Sequence, residues 1–250
     1  MGCFAGMVQA QQQPLTNNDI AKGIIYYKDF SVGAKMATNG FGAFLNLSHR
    51  INLYKTKFYQ FEIENITNPK EISQASVYSN PYGFESPKSF VYGKQNNFYT
   101  VNASIGMKRL IAEKADKSGV ELTLKYMGGV SIGILKPYYL DLIYTQDNVT
   151  IDYILSQSYA QAGPRFLNYD LIYGSSGFTY GLNQIRVVPG AHFKAGLNFD
   201  WATYDDNIKA VEVGIECDIY YEKVPIMVAS EFNQQIIPQL YVSLEIGKRR

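Results

Sequence analysis

The chain has 250 residues, of which 46% are hydrophobic and 14% aromatic, and its formal net charge is +1. This length predicts one domain. A nearly balanced charge excludes the strongly basic surface typical of nucleic-acid-binding proteins, so no nucleic-acid partner is predicted. The two cysteines, Cys3 and Cys217, cannot form a disulfide framework. No apolar run approaches the length of a membrane-spanning helix.

The first ten residues, MGCFAGMVQA, are apolar and end in a small-x-small pattern typical of a signal-peptide cleavage site. They lack a positively charged beginning, so residues 1–10 are predicted to be a truncated signal peptide cleaved after Ala10. Acylation of Cys3 is the less favoured alternative. Residues 11–29 are polar and are predicted to form a lead-in to the folded domain.

Beyond the lead-in, apolar and polar residues alternate with a period of two. In residues 208–221, Val211, Val213 and Ile215 share one face, and Glu212 and Glu216 share the other. This pattern predicts a β-strand with one apolar and one charged face. The same pattern recurs in eight predicted strands, which in chain order are 30–37, 41–51, 56–64, 97–111, 120–135, 187–202, 208–221 and 236–248.

The connections between these strands differ in length. The Asn39-Gly40 pair predicts a tight hairpin turn, because both residues readily adopt positive φ angles. The connections after the second, fourth and sixth strands are short, whereas residues 65–95, 136–186 and 222–235 form long ones. Outer-membrane barrels have short periplasmic turns and long outer loops.

We therefore predict an all-β fold, an antiparallel up-and-down transmembrane β-barrel of eight strands over residues 30–248. Both termini, and the lead-in, would be periplasmic, and the cell outer membrane is the predicted location. Ten strands are an alternative, if residues 149–155 and 167–173 of the longest connection join the wall.

A soluble lipocalin-like carrier of an apolar ligand is a further alternative, since it also has eight strands but turns its apolar face inward. Two features favour the membrane. Cationic and histidine side chains of the apolar face fall at the periplasmic strand ends, away from mid-depth, where a lipid-facing Arg or Lys costs roughly 2–4 kcal/mol. Aromatic residues of that face collect at both strand ends, as in interfacial girdles. The cationic and histidine residues are His49, Lys57, Arg109, Lys209 and Lys248, and the aromatic ones are Phe30, Tyr59, Phe199, Trp201, Phe41, Tyr99 and Tyr221.

The polar strand faces would line the lumen with ionisable side chains of both signs. An eight-stranded barrel is only wide enough for side chains to fill it. We therefore predict a structural salt-bridged network that plugs the lumen, with an ion or proton path as the alternative. Its predicted members are Lys35, Arg50, Glu62, Glu64, Lys108, Glu121, Lys125, His192, Lys194, Asp200, Glu212, Glu216, Asp218 and Glu245.

The sequence offers no recognisable catalytic site. The chain has two histidines, and Ser48 next to His49 would point to the opposite face of the strand. The chain contains neither a Gly-x-Ser-x-Gly motif nor metal-ligand spacing. No catalytic, cofactor-binding or metal-ligating residue is therefore predicted, and a lipid-modifying enzyme with an unrecognised site stays as an alternative.

The long connections are rich in tyrosine, which is common in binding surfaces. They would contact an envelope protein partner, or pack on each other as a cap over the barrel mouth, or do both. Outer-membrane lipid is the other predicted partner, and the oligomeric state is left open. These tyrosines are Tyr78, Tyr82, Tyr138, Tyr139, Tyr144, Tyr153, Tyr159, Tyr169, Tyr173 and Tyr180.

Several segments carry a resemblance to a known group of proteins: KMATNGFG (35–42), KTKFY (55–59), NPKE (68–71), FVYGKQNNF (90–98), EK (113–114) and LKPYYL (135–140). Over about residues 23–247 the chain resembles an uncharacterised family of Bacteroidota outer-membrane β-barrel proteins. The resemblance implies a barrel fold and an outer-membrane location, and no activity. The leading hypothesis is a non-enzymatic barrel, structural or binding, or accessory to surface assembly or secretion.

Overall fold

The computed structural model describes residues 28–52, 54–78, 86–114, 119–145, 153–202, 207–229, 231 and 233–249. The predicted leader and residues 11–27 of the predicted lead-in lie outside this part of the chain. Within it the strands are β1 (Lys28–Ala37), β2 (Gly40–Asn52), β3 (Lys55–Ile66), β4 (Ser73–Gln74), β5 (Phe90–Val91), β6 (Asn96–Ala112), β7 (Glu121–Pro137), β8 (Tyr139–Tyr144), β9 (Tyr153–Ser158), β10 (Ile172–Ser175), β11 (Arg186–Asp200), β12 (Asn207–Tyr220) and β13 (Ile236–Arg249).

Eight of these strands form a closed barrel in the order β1-β13-β12-β11-β7-β6-β3-β2. Every neighbouring pair is antiparallel, and β1 closes the wall by pairing with β13, where Ala34 lies opposite Leu244. Each wall strand pairs with the next wall strand along the chain, so the topology is up-and-down. The prediction of an all-β eight-stranded barrel is confirmed.

The boundaries differ slightly from those predicted. The strand β1 begins at Lys28, inside the predicted lead-in, and β7 continues to Pro137, inside the predicted long connection. The outer connections are therefore residues 67–95, 138–185 and 221–235. Such shifts of a few residues arise because hydrogen-bonded pairing continues past the point where the alternation of the sequence becomes irregular.

The first hairpin turns close to the predicted place for a different reason. The strand β1 ends before Thr38 and β2 begins at Gly40, so Thr38 and Asn39 form a two-residue turn. Gly40 is not among the described glycines with positive φ. A side chain at Gly40 would instead meet the Asn65 carbonyl oxygen at 2.0 Å. The glycine permits close approach to β3, and the prediction of its positive φ was wrong.

The longest outer connection contains strands, but they do not join the barrel wall. β8, β9 and β10 form a separate three-stranded antiparallel sheet in the order β10-β8-β9, and β4 pairs with β5 in the preceding outer connection. A one-turn helix, α1 (Tyr159–Ala162), follows β9. The ten-stranded alternative is therefore wrong, since β9 and β10 pair with β8.

The barrel is polar inside and apolar outside. On β12, Glu212 and Glu216 are buried, whereas Val213 and Ile215 are 47% and 61% exposed. An exterior of this kind extends over every wall strand, with exposed residues such as Phe41, Val130 and Leu244. The soluble-carrier alternative requires the reverse arrangement, so the structure contradicts it. Across the described ranges, no helix is long and apolar enough to cross a membrane.

Candidate functional site

The fourteen predicted lumen residues lie on the inward face of the wall. All are buried except Arg50, Lys108 and Glu121, which are half-buried. These three line a cavity of about 250 Å³ at the end of the barrel where β1 begins and β13 ends, which is the predicted periplasmic end. The alternation of the sequence places all of them, because inward and outward positions alternate along each strand. The ion pairs of the lumen form two layers and, beside this cavity, a third group that we call the periplasmic group after the predicted orientation.

The outer of the two layers is centred on Lys35. Its ammonium group donates to both carboxylate oxygens of Glu216 at 2.7 Å, to Glu64 at 3.0 Å, and to Glu62. Lys194, from the opposite side of the barrel, donates to Glu62 at 3.0 Å and lies 3.7 Å from Glu216. Cations from β1 and β11 thus share carboxylates from β3 and β12, so side chains cross the full width of the lumen.

The second layer lies nearer the end of the barrel where β1 begins. Lys125 donates to Glu212 at 2.5 Å and to Glu245 at 3.3 Å, and the Tyr241 hydroxyl donates to Glu212 at 2.5 Å. Lys108 lies 3.4 Å from Glu245. Charge-assisted contacts of this kind are the strong hydrogen bonds of proteins. The layer balances two cations against two carboxylates.

The periplasmic group opens toward solvent. Arg249 donates to Asp200 at 2.6 Å, and Lys114 lies 3.8 Å from the same carboxylate. Arg50 and Glu121 line the surrounding cavity. Because both signs are present in this cavity, it does not favour a ligand of one charge.

His192 forms a buried pair with Asp218. Its Nδ1 atom lies 2.8 Å from an Asp218 carboxylate oxygen, and Asn102 approaches the same nitrogen at 3.4 Å. The His192 Nε2 atom and the second Asp218 oxygen are buried without a hydrogen-bond partner. A ring nitrogen of His192 and one carboxylate oxygen each of Glu62 and Glu216 lie within 4.8 Å of one another. Within the described residues, this is the one group with the spacing of a metal site.

Aromatic rings also lie in the lumen, and none of them is among the predicted network residues. The Tyr241 ring lies 4.1 Å from the Lys194 nitrogen, the Phe58 ring 5.1 Å from that of Lys125, and the Phe44 ring 5.5 Å from that of Lys194. These distances suit cation–π contacts. The parity of the strands could have found these rings, since each shares the face of a predicted network member.

Inward glycines make room for these rings. A Cβ atom at Gly33 would lie 2.3 Å from the Phe44 ring, one at Gly106 2.6 Å from the Phe58 ring, and one at Gly133 2.7 Å from the Phe98 ring. A lumen of eight strands cannot hold a large side chain at every inward position. The glycines are therefore required by packing.

The outer mouth is closed by an apolar cluster. Phe98 and Tyr220 meet edge to face with their ring centroids 5.2 Å apart. Val224 and Ile226, from the connection after β12, cover them from above. The buried members of this mouth cluster are Ile66, Phe98, Leu135, Val188, Tyr220, Val224, Ile226 and Ile237.

The outer connections pack on one another as a cap above the mouth cluster. Backbone bonds join them: Gln95 donates to Ile226 at 2.8 Å, and Tyr138 donates to Gln95 at 2.9 Å. The Val91 amide donates to the Tyr138 hydroxyl oxygen at 3.2 Å, and burial raises the pKa of Tyr138, which keeps that phenol neutral. The cap has its own apolar core, formed by Phe90, Leu140, Leu142, Phe166 and Ile172.

The tyrosines of the connections divide between the buried part of the cap and its surface. Tyr139 and Tyr173 are buried, whereas Tyr153 and Tyr180 are 53% and 49% exposed. Tyr82 lies outside the described residues. The cap interpretation thus accounts for some of the tyrosines, and the exposed ones remain open to a partner.

Comparison with known proteins gives matches of fold alone. No protein-family model and no curated protein matches the chain. Ail, the attachment invasion locus protein of Yersinia pestis, is 12% identical with a TM-score of 0.45, over 91% of this chain and all of Ail. The Neisserial surface protein NspA is 6% identical with a TM-score of 0.41, over 90% of this chain and 97% of NspA. Both are eight-stranded outer-membrane barrels, and the Bacteroidota resemblance stays a prediction.

Proposed function

We propose that this protein is a non-enzymatic barrel of the bacterial outer membrane that acts as a structural or binding element at the cell surface. The observation that carries the proposal is a lumen filled by paired charges inside a wall whose exterior is apolar. An apolar exterior needs a lipid environment, and a filled lumen leaves the cap as the part that can engage a partner.

The membrane location rests on the wall. A contiguous apolar surface around a barrel is far larger than a soluble monomer exposes. Phe30 and Trp201 lie exposed near the periplasmic end, and Phe41 and Tyr221 lie exposed at the other end, as interfacial girdles require. The outward cations and His49 stay at the periplasmic ends of the strands, where headgroup phosphates neutralise charge.

The absence of transport is inferred from two barriers. The ion-pair layers cross the lumen, and the mouth cluster closes its outer end. Ions entering from the periplasm would have to break buried ion pairs, which is costly because each remaining charge is left without a partner.

The binding role rests on the cap. Its surface exposes Tyr153 and Leu155 on β9, and Phe178, Tyr180 and Leu182 beyond β10. Large side chains with few rotatable bonds give contact area at low entropic cost. We propose an envelope protein as the partner, which places the chain as an accessory of surface assembly or secretion.

Planar-bilayer recording tests the closed lumen. Purified protein should show no steady channel above background in ordinary salt, whereas a porin inserted in the same membrane should conduct. Reproducible openings of porin size would refute a filled lumen.

Crosslinking on intact cells tests the binding role. A photoreactive phenylalanine analogue at Tyr153 or Phe178 should yield a discrete protein adduct. The same analogue at Tyr126, which is 43% exposed on the wall, serves as the matched control and should yield lipid adducts only. Identical patterns at the cap and wall positions would contradict a protein-binding cap.

A further inference from the structure

The outer ion-pair layer of the lumen is short of positive charge. It holds the carboxylates Glu62, Glu64, Glu216 and Asp218, against the ammonium groups of Lys35 and Lys194. With His192 neutral, two negative charges are uncompensated, and all of these side chains are buried. An isolated buried charge is too costly to persist, so the layer must take up protons or a cation.

Three side chains of the layer also bring potential metal-ligand atoms close together. His192 lies on β11, Glu62 on β3 and Glu216 on β12, and the three ligand atoms lie within 4.8 Å of one another. A carboxylate has about four lone-pair sites on its two oxygens. Glu62 accepts from Lys35, Lys194 and Gln60, and Glu216 accepts from Lys35 on both oxygens, so each glutamate keeps a site for an ion.

The hydrogen bonding of His192 is of the kind found in metal-bound histidines. Its Nδ1 lies 2.8 Å from Asp218, and the closer carboxylate, rather than Asn102 at 3.4 Å, sets the position of the proton. A proton on Nδ1 leaves a lone pair on Nε2, which is buried and has no partner. Metal-bound histidines commonly donate their other ring N–H to a carboxylate in this way.

We propose that the lumen holds one divalent transition-metal cation of the zinc type, bound by the His192 ring and the carboxylates of Glu62 and Glu216, with Asp218 as the positioning residue. Such an ion makes the layer electrically neutral. A nitrogen ligand favours a zinc-type ion over Ca²⁺ or Mg²⁺, which prefer oxygen ligands alone. The ion would tie β3, β11 and β12 together across the lumen.

The three proposed ligands do not form a recognisable motif in the sequence. Glu62 lies far from the other two ligands along the chain, and Glu216 follows His192 only after the turn between β11 and β12. The inference goes beyond the proposed function, because a binding barrel needs no metal.

The test is zinc content after folding. The chain with Cys3 and Cys217 replaced by serine, which removes both thiols, is refolded in detergent with Zn²⁺ or Ca²⁺. Loosely held ions are then removed with a chelating resin, a heat-modifiability gel confirms folding, and metal is measured by mass spectrometry. We expect one zinc ion per barrel and no retained calcium.

The two histidines provide a matched pair of variants. His49 is exposed on the barrel exterior, whereas His192 is 1% exposed in the layer. We expect His49→Gln to retain zinc fully and His192→Gln to lose it. Asp218→Asn, which keeps the three ligands, should weaken zinc binding by about 10- to 100-fold, as is typical when a residue that orients a ligand is lost.

The background chain decides the question even if a variant fails to fold. A folded barrel that retains no zinc would overturn the proposal and would mean that protons neutralise the layer. Equal zinc retention by folded His192→Gln and His49→Gln barrels would likewise overturn it, since the metal would then be bound elsewhere.

Discussion

At the scale of single residues, the lumen depends on a few charges that serve several partners. Lys35 meets three carboxylates, and Glu216 meets both Lys35 and Lys194. Removing one partner of a buried pair costs more than the pair itself contributes, because the remaining charge stays desolvated. The layers are therefore more sensitive to truncation than the distances alone suggest.

We predict that Glu216→Leu destabilises the folded barrel by about 1–3 kcal/mol, because Lys35 loses the carboxylate that accepts its two 2.7 Å hydrogen bonds and keeps only Glu62 and Glu64 as partners. Denaturant unfolding in detergent measures the change, with Trp201, the one tryptophan, as the fluorescent probe. A chelator in the buffer separates this effect from metal binding.

The matched control is Glu121→Leu at the half-buried periplasmic cavity, where the expected change is below about 1 kcal/mol. If the two variants are equally stable, the buried layer contributes no more to the free energy of unfolding than the half-buried cavity does.

Packing in the mouth cluster gives a second residue-scale prediction. Gly133→Ala should destabilise the barrel by about 1–3 kcal/mol, because the added methyl group would lie 2.7 Å from the Phe98 ring and 3.1 Å from that of Tyr220. The three atoms nearest to the added methyl group belong to side chains, so the overlap can be relieved by mutation.

A double-mutant cycle with Phe98→Leu measures that relief. Gly133→Ala should cost less in the Phe98→Leu background, with a coupling above about 0.5 kcal/mol in unfolding free energy. If the two changes in unfolding free energy add, the cost of Gly133→Ala arises from the backbone at this position and does not depend on the Phe98 ring.

At the scale of elements, each wall strand combines a charged inner face with an apolar outer one. On β12, Val213 and Glu212 are adjacent, yet one is 47% exposed and the other 1%. The lipid-facing side tolerates charge only near the strand ends, as Lys209 shows at the periplasmic end of β12. Depth along the strand therefore decides the cost of a charge.

We predict that Val213→Arg blocks insertion, because it places a charge at mid-depth at a cost of about 2–4 kcal/mol. Ile246→Arg is the matched control: Ile246 is 61% exposed on the same exterior and lies opposite Lys209, near the interface, where the cost is about 0–1 kcal/mol. Heat-modifiability gels on outer-membrane fractions report insertion. Normal insertion of Val213→Arg beside failure of Ile246→Arg would reverse the assignment of depth.

At the scale of the whole molecule, the short and the long connections between wall strands lie mainly at opposite ends of the barrel. Short turns follow β2, β6 and β11, at the end where β1 begins and β13 ends, and the cap is built from the long connections at the opposite end. Barrels of this class keep their short turns in the periplasm. The cap should therefore face the outside of the cell.

Cysteine labelling checks this orientation. In a chain whose own cysteines are replaced by serine, Ser86→Cys in an outer connection should react with an impermeant maleimide on intact cells. Glu113→Cys, in the turn after β6, is also at an exposed position and should react only once the outer membrane is opened. Labelling of Glu113→Cys in sealed cells would show that the barrel has the opposite orientation in the membrane.

The sequence by itself determined the eight wall strands, their two faces and the division of connections by length. These features are local: on a strand, successive side chains point to opposite faces, so an alternation such as that of residues 208–221 specifies both the strand and its inward set. Long connections at one end follow from counting residues between strands.

Only the tertiary structure decided which inward residues meet. Lys35 pairs with Glu216 across the lumen, and His192 approaches Glu62 and Glu216 from a third strand. Such meetings depend on the stagger between strands and on the barrel diameter, which are properties of the closed wall. The same reason explains β9 and β10: their sequences predict strands, but pairing with β8 in the cap kept them out of the wall.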